Sequence, residues 1–211
     1  MSAGAGTGAR AGAGPAVADR VLLPLGFDAK ALAAEARALP RGAWEPHFNT
    51  ACYEGDWSGV ALRAPAGAGA ANALYPDPTA SAWADTDALR ACPRIAAALA
   101  AFRCPLLSVR LLRLGPGATI KEHRDYRLGF ADGEVRLHVP LTTGPDVHFV
   151  LAGTPVPMRA GECWYLDLNL PHRVANRGAG ARVNLVVDCQ VDAWFTELLI
   201  AASAGGASVA D

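Results

Sequence analysis

The stretch Val135–Asp188, VRLHVPLTTGPDVHFVLAGTPVPMRAGECWYLDLNLPHRVANRGAGARVNLVVD, is a run of short apolar or alternating segments cut by Gly, Pro, Asn and Asp turns. Half-buried strands alternate faces, and tight turns need residues that tolerate unusual backbone angles, so this texture reads as an all-β sandwich or barrel. Extended back to Leu106, it contains candidate strands at Leu106–Leu114, Val135–Leu141, Val147–Leu151, Pro155–Met158, Cys163–Leu168, His172–Asn176 and Arg182–Asp188. The punctuation is GPGA (Gly115–Ala118), ADGE (Ala131–Glu134), TGPD (Thr143–Asp146), RAGE (Arg159–Glu162) and NRGAGA from Asn176. Seven or eight such strands suit a jelly roll.

Outward from this unit the texture changes. Asp28 stands where a helix N-cap belongs, Ala29–Leu39 is rich in helix formers, and Pro40 stops it. Thr86 and Asp87 can cap a short helical turn, and Pro93 can open another helix that Ile95–Phe102 continues. Trp44–Leu62 is aromatic without a clean period, and Arg63–Ala71 reads as a Pro/Gly/Ala loop. The expected organisation is a disordered Gly/Ala-rich tail over residues 1–20, one domain over 21–200 with a jelly-roll core at about 104–190, and a disordered tail over 201–211.

Composition narrows the class. A chain of 211 residues, 52% hydrophobic and 18% charged, with a formal net charge of −1, belongs with globular proteins and not with disordered or polyanion-binding ones, so nucleic acid is not an expected partner. No apolar run approaches the roughly 18 residues needed to span a bilayer, and Ile95–Phe102 is bounded by Arg94 and Arg103, so no membrane association is expected. The amino-terminal residues lack the leucine-rich segment of a secretory signal. Five cysteines, odd in number and with no C-x-x-C pair, favour a reducing compartment and buried thiols; the expected location is the cytoplasm. Oligomeric state is not legible.

The chemistry concentrates in the β unit. His123 and Asp125 are one residue apart, so on an extended segment both project from one face and can share an ion. His172 follows Pro171 and lies 49 residues later, where a returning strand can place it beside them. Two imidazoles and one carboxylate on one triangular face leave three positions open, as an oxygen-activating ferrous site requires. A structural zinc site would want four protein ligands, and no cysteine is placed to supply them. Alternation puts Arg136 and His138 on one face of their strand, and Arg182, Asn184 and Val186 on one face of theirs, so two arginines can enter one cavity. A buried arginine is costly unless an anion meets it; a dicarboxylate does so, and an ion pair from Arg182 to Asp188 or Glu162 is the competing arrangement. His47 and His148 read as structural or surface histidines, Trp164 and Tyr165 as core, Glu162 as structural, and Tyr126 and Arg127 as candidates for the barrel mouth.

Together LRLGPGATIKEHRD (Leu112–Asp125), VRLHVPLTT (Val135–Thr143), AGECWYLDLNLPHRVAN (Ala160–Asn176) and ARVNLVVD (Ala181–Asp188) resemble the aspartyl/asparaginyl β-hydroxylase family of 2-oxoglutarate oxygenases, over roughly Trp44–Trp194. The resemblance implies a mainly β fold, a double-stranded β-helix or cupin-like jelly roll with a few N-terminal helices. It implies Fe(II) held by His123, Asp125 and His172, with 2-oxoglutarate and O2 as co-substrates. Asp125 places the chain with the full H-x-D…H branch, since some animal members have glycine there. By position, Arg182 would hold the distal carboxylate of 2-oxoglutarate, and Arg136 and His138 would contact it near the metal. One departure is Leu112, where some members carry a serine whose hydroxyl reaches the co-substrate. The implied reaction hydroxylates an aspartyl, asparaginyl or other amino-acid side chain, free or peptidyl, with determinants expected in Trp44–Ala84. Two other readings stay open: a cupin metalloenzyme that does not use 2-oxoglutarate, and a non-catalytic jelly roll that binds a small molecule or peptide.

Overall fold

The computed structural model describes residues 17–68, 73–75 and 79–206. Its strands are β1 (Arg20–Gly26), β2 (Glu45–Pro46), β3 (Tyr53–Glu54), β4 (Trp57–Pro65), β5 (Trp83–Asp85), β6 (Leu106–Leu114), β7 (Thr119–His123), β8 (Glu134–Thr142), β9 (Val147–Leu151), β10 (Thr154–Val156), β11 (Glu162–Leu166), β12 (His172–Asn176) and β13 (Arg182–Gln190). The helices are α1 (Ala29–Ala38), α2 (Asp87–Arg90), α3 (Pro93–Leu99) and α4 (Ala193–Gly206). All strand pairs are antiparallel, in a large sheet of order β1-β11-β8-β13-β6-β4-β2, with β5 beside β4, and a small sheet of order β10-β9-β12-β7-β3.

The period-two pattern sorts each central strand into two faces. Val109 and Leu111 of β6, Val135, Leu137 and Val139 of β8, and Leu185 and Val187 of β13 turn towards α1, α3 and α4 and form one core with Leu32, Ile95, Phe195 and Leu199. The opposite face of the large sheet meets the small sheet over a second core that includes Trp57, Leu114, Ile120, Phe149 and Val174. Between the sheets the polar partners of that alternation, Arg110, Arg136, His138 and Arg182, line a cavity. The jelly roll and its polar inner face are therefore present as the sequence indicates.

Capping follows the expected residues: the Asp28 side chain accepts from the Ala31 N–H at 3.0 Å, Thr86 accepts from Leu89 N–H at 3.3 Å, and Pro93 opens α3. Several elements differ from expectation. Trp57–Pro65, which carries no clean alternation because Trp57, Ser58, Gly59 and Val60 are all buried, forms a full strand of the large sheet. Residues 201–206 continue α4 rather than forming a tail, with the strong helix formers Ala201, Ala202 and Ala204 extending it and Gly205 and Gly206 at its end, and 207–211 lie outside the described residues. Of the expected amino-terminal tail, residues 1–16 lie outside the described residues and Arg20 already opens β1. Cys92, Cys104, Cys163 and Cys189 are buried free thiols. No described helix is long and apolar enough to cross a membrane.

Candidate metal and co-substrate site

β7 and β12 pair so that His123 and His172 stand directly opposite one another, and their rings lie 4.2 Å apart between centroids. Each imidazole is oriented the same way: Nδ1 of His123 lies 2.8 Å from the Lys121 carbonyl, and Nδ1 of His172 lies 3.0 Å from the Leu170 carbonyl. A carbonyl can only accept, so Nδ1 carries the proton in both rings and each Nε2 is left with a lone pair for a metal. The ring of Phe149 lies parallel to that of His172, 6.1 Å away between centroids. Burial lowers the pKa of His172, which favours the neutral, ligating form.

Asp125 reaches the same point by another route. β7 ends at His123, so the expected continuous strand through both residues does not form; instead the Asp125 N–H donates to the Leu168 carbonyl at 2.9 Å and pins the loop beside β12. Asp125 Oδ1 then lies 3.8 Å from His123 Nε2, and one ligand atom from each of His123, Asp125 and His172 falls within 4.8 Å of the others. Two nitrogens and one carboxylate oxygen on one side of a point, with the cavity on the other, fit a divalent metal with positions left open.

The cavity is about 360 Å³. Arg182 faces it, buried and with no hydrogen-bond or ion-pair partner for its guanidinium among the described residues; burial alone lowers its pKa to about 10. Neither Asp188 nor Glu162 pairs with it. A buried cation with no counter-charge is costly, and a ligand carboxylate supplies what is missing. His138 accepts on Nδ1 from Asn184 Nδ2 at 3.2 Å, which leaves an Nε2–H with no partner, a second donor without an acceptor. Burial, then Arg182 and Arg136, hold His138 neutral. Leu112 lines the cavity, so no hydroxyl is offered from that position.

Arg136, for which the resemblance implies a co-substrate contact, is engaged by carboxylates of the chain itself. Its guanidinium bridges Asp125 and Asp188, and Asp188 also receives Arg110. Burial disfavours the charge on Arg136, but Asp188 and Asp125 outweigh it and raise its pKa. Asp188 is the converse: burial pushes its pKa up, and Arg110 and Arg136 bring it below the ordinary value.

The sequence does not assign Arg110, Asn169 or His47 to the site, and it offers Asp188 only as a competing partner for Arg182. Arg110 and Asp188 sit on strands whose period assigns them a face but not a partner. Asn169 ties the Asp125 loop, its Oδ1 accepting from the Arg127 N–H at 2.9 Å and its carbonyl from Arg124 Nη1 at 2.6 Å. His47, read as a structural or surface histidine, lines the cavity and stacks on Trp57 at 3.5 Å between centroids. With Phe48, Asn49 and Cys52 it builds the wall contributed by the aperiodic amino-terminal region, and exposed Tyr126 stands at the edge.

A family model described as aspartyl/asparaginyl beta-hydroxylase matches residues 27–191. Among solved structures, the epimerase SnoN in complex with Fe3+, alpha ketoglutarate and nogalamycin RO is 17% identical, covering 82% of this chain and 79% of that one with a TM-score of 0.51. A second structure, the non-heme alpha ketoglutarate dependent epimerase SnoN from nogalamycin biosynthesis, is 18% identical, covering 81% of this chain and 76% of that one with a TM-score of 0.50. At such identities the likeness is one of fold.

Proposed function

The chain belongs to the aspartyl/asparaginyl β-hydroxylase family, and on that premise we propose that it is a non-haem Fe(II)/2-oxoglutarate-dependent dioxygenase that hydroxylates an aspartyl, asparaginyl or other amino-acid side chain, free or peptidyl. The observation that carries this reading is the pairing, in one cavity, of a His123–Asp125–His172 donor face with Arg182, a buried cation that meets no anion. The first fits a metal and the second fits the far carboxylate of a dicarboxylate co-substrate.

In this reading His123, Asp125 and His172 hold the iron, and Arg182 and the Nε2–H of His138 hold 2-oxoglutarate. Bound iron, with 2-oxoglutarate and O2, supplies the oxidising chemistry: co-substrate decarboxylation to succinate and CO2, coupled to insertion of oxygen into a C–H bond. The chain's own groups bind, orient and shield. The Nδ1–carbonyl contacts orient each histidine with Nε2 towards the metal position, Arg182 fixes one end of the co-substrate so that the other faces the donor triad, and Phe149, Leu168 and Val174 line the inner wall. The outer wall of His47, Phe48 and Trp57 is where substrate would pack. Its partner is an amino acid or peptide in the cytoplasm, not nucleic acid or a membrane.

The test is an anaerobic titration of the apoprotein with Fe(II) and 2-oxoglutarate, followed by the visible metal-to-ligand charge-transfer band. The band is expected in the wild type and absent in His172→Ala and Asp125→Ala. A folded wild type that binds iron and 2-oxoglutarate without the band, or binds no iron, overturns the proposal. Substrate-stimulated succinate release across free amino acids and short peptides then identifies the substrate; silence across such a panel counts against hydroxylation.

A further inference from the structure

We infer that Arg136 is a positioning residue for the carboxylate of Asp125, locked in place by Asp188 and Arg110, and is not a co-substrate contact; this rests on the reading above that Asp125 is a metal ligand. Each nitrogen of the Arg136 guanidinium is already engaged. Nε donates to Asp188 Oδ1 at 2.7 Å, Nη2 to Asp188 Oδ2 at 2.9 Å, and Nη1 to Asp125 Oδ2 at 2.5 Å. Asp188 Oδ2 also accepts from Arg110 Nη2 at 2.5 Å. The chain Arg110–Asp188–Arg136–Asp125 thus alternates in charge, and its first two members are buried at 3% and 4% exposure.

The reason for such a device lies in where the three ligands sit. His123 and His172 are strand residues in direct register, each fixed by a backbone carbonyl. Asp125 lies on a loop beyond the end of β7, with its side chain 27% exposed. A carboxylate on a loop samples several rotamers, and that freedom is lost when it ligates; a guanidinium on a rigid strand removes it beforehand. The rigidity is real, because Arg136 on β8 and Asp188 on β13 are directly paired residues in the middle of the large sheet, and Arg110 stands on the next strand, β6.

The same bond fixes how Asp125 can ligate. With Oδ2 held by Arg136, Oδ1, the atom that faces His123 Nε2 at 3.8 Å, is the oxygen left for a metal, so Asp125 would ligate through that oxygen alone. A co-substrate carboxylate at Arg136 would have to share a guanidinium whose every nitrogen already donates to Asp125 or Asp188. Arg182 and His138, whose Nη2 and Nε2 have no partner, can accept the co-substrate without breaking anything.

The experiment measures two affinities separately: Co(II) binding to the apoprotein by calorimetry and its visible ligand-field bands, and 2-oxoglutarate binding at saturating Fe(II), without oxygen, by the charge-transfer band. The main variant is Arg136→Lys, which keeps the positive charge near the metal but cannot bridge two carboxylates, so that orientation is tested apart from charge. It is expected to weaken Co(II) binding by about 10-fold or more and alter the ligand-field bands, while the 2-oxoglutarate affinity stays within about twofold. Asp188→Asn, close in size, is expected to change Co(II) affinity in the same direction and serves if Arg136→Lys does not fold. Unchanged Co(II) affinity in either folded variant, or a loss confined to 2-oxoglutarate, overturns the inference. Asp125→Ala separates the two levels: if it binds Co(II) as the wild type does, the reading of Asp125 as a ligand fails first, and the inference with it.

Discussion

Arg182 and Asp188 share a face of β13, six residues and therefore about 20 Å apart, and are not paired: Asp188 is claimed by two arginines while Arg182 meets no anion among the described residues. One strand thus carries a neutralised end, linked through Arg136 to Asp125, and a charged end open to a ligand.

That asymmetry has opposite consequences for binding and for stability. Replacing Arg182 with Met removes the cation that the distal carboxylate would meet, and two charge-assisted hydrogen bonds at about 1.5 kcal/mol each correspond to on the order of 100-fold in 2-oxoglutarate affinity. The same change removes an uncompensated buried charge, so the ligand-free variant is expected to melt no lower than the wild type and up to several degrees higher. Calorimetry with and without 2-oxoglutarate reads both effects. A variant that melts well below the wild type while still binding 2-oxoglutarate would mean that Arg182 is a structural residue.

Metal removal is expected to abolish turnover without unfolding the protein. The apolar clusters, built around residues such as Leu111, Leu137 and Leu185 on one side and Leu114, Phe149 and Val174 on the other, close without any contribution from the donor triad. Chelation with EDTA should therefore leave the far-ultraviolet circular dichroism unchanged. The free energy of unfolding should fall only by the linkage amount, about 3–4 kcal/mol at metal concentrations of 100 to 1,000 times Kd, and the midpoint of melting with it. Loss of secondary structure on chelation would instead make the metal a folding element, as in a zinc finger.

Much of this architecture is legible in the residues because alternation is a local signal. β6, β9 and β12 begin and end at the expected residues, and Arg136, His138 and Arg182 fall on the inner face that their period assigns. The legible site is the part carried by spacing, His123, Asp125 and His172. What is not legible is long-range or non-periodic. Asp188 pairs with Arg110 across 78 residues of sequence, a partnership set by strand order in the large sheet and by nothing nearby in the chain. β4 is buried on both faces at its start, which erases alternation, and His47 gains its place from Trp57 of that strand, on which it stacks and to whose carbonyl its backbone N–H donates.

His47 makes stability depend on pH. Burial first, then the charges of Arg110 and Arg136, lower its pKa from 6.5 to about 3, so the folded protein keeps the ring neutral where the unfolded chain would protonate it. The unfolded state therefore binds more protons between about pH 6.5 and 3, and stability falls as pH drops through that window. His47→Phe preserves an aromatic ring against Trp57 and removes the titration. It is expected to flatten the decline in denaturant midpoint between pH 6.5 and 4 relative to the wild type, with little change at pH 8. Parallel pH curves for the two proteins would rule out this role for His47.

Asn169 couples the loop that carries Asp125 to the strand that carries His172. Its side chain donates to Asp132 Oδ2 at 2.7 Å and Asp167 Oδ1 at 3.1 Å and accepts from the Arg127 N–H, where the backbone turns through a positive φ of 65°. Gly129 leaves room for this hub, since a Cβ there would come within 2.5 Å of Asn169 Nδ2 and 2.7 Å of Asp167 Oδ1. Asn169→Ala removes side-chain bonds at the edge of the domain, so the cost to global stability should be about 1–2 kcal/mol. The effect on the site should be larger in proportion, because the Arg127 N–H would no longer be tied, leaving the loop only the Asp125 N–H bond to Leu168 and the Arg124 bond to the carbonyl of residue 169, which alanine retains. The expected result is faster amide exchange across residues 124–132 and several-fold weaker metal binding, with exchange in β6, β8 and β13 unchanged. Gly129→Ala, which crowds Asn169 from the other side, should produce the same local pattern. Uniformly faster exchange throughout the large sheet in either variant would show that the hub supports the whole fold and not the loop.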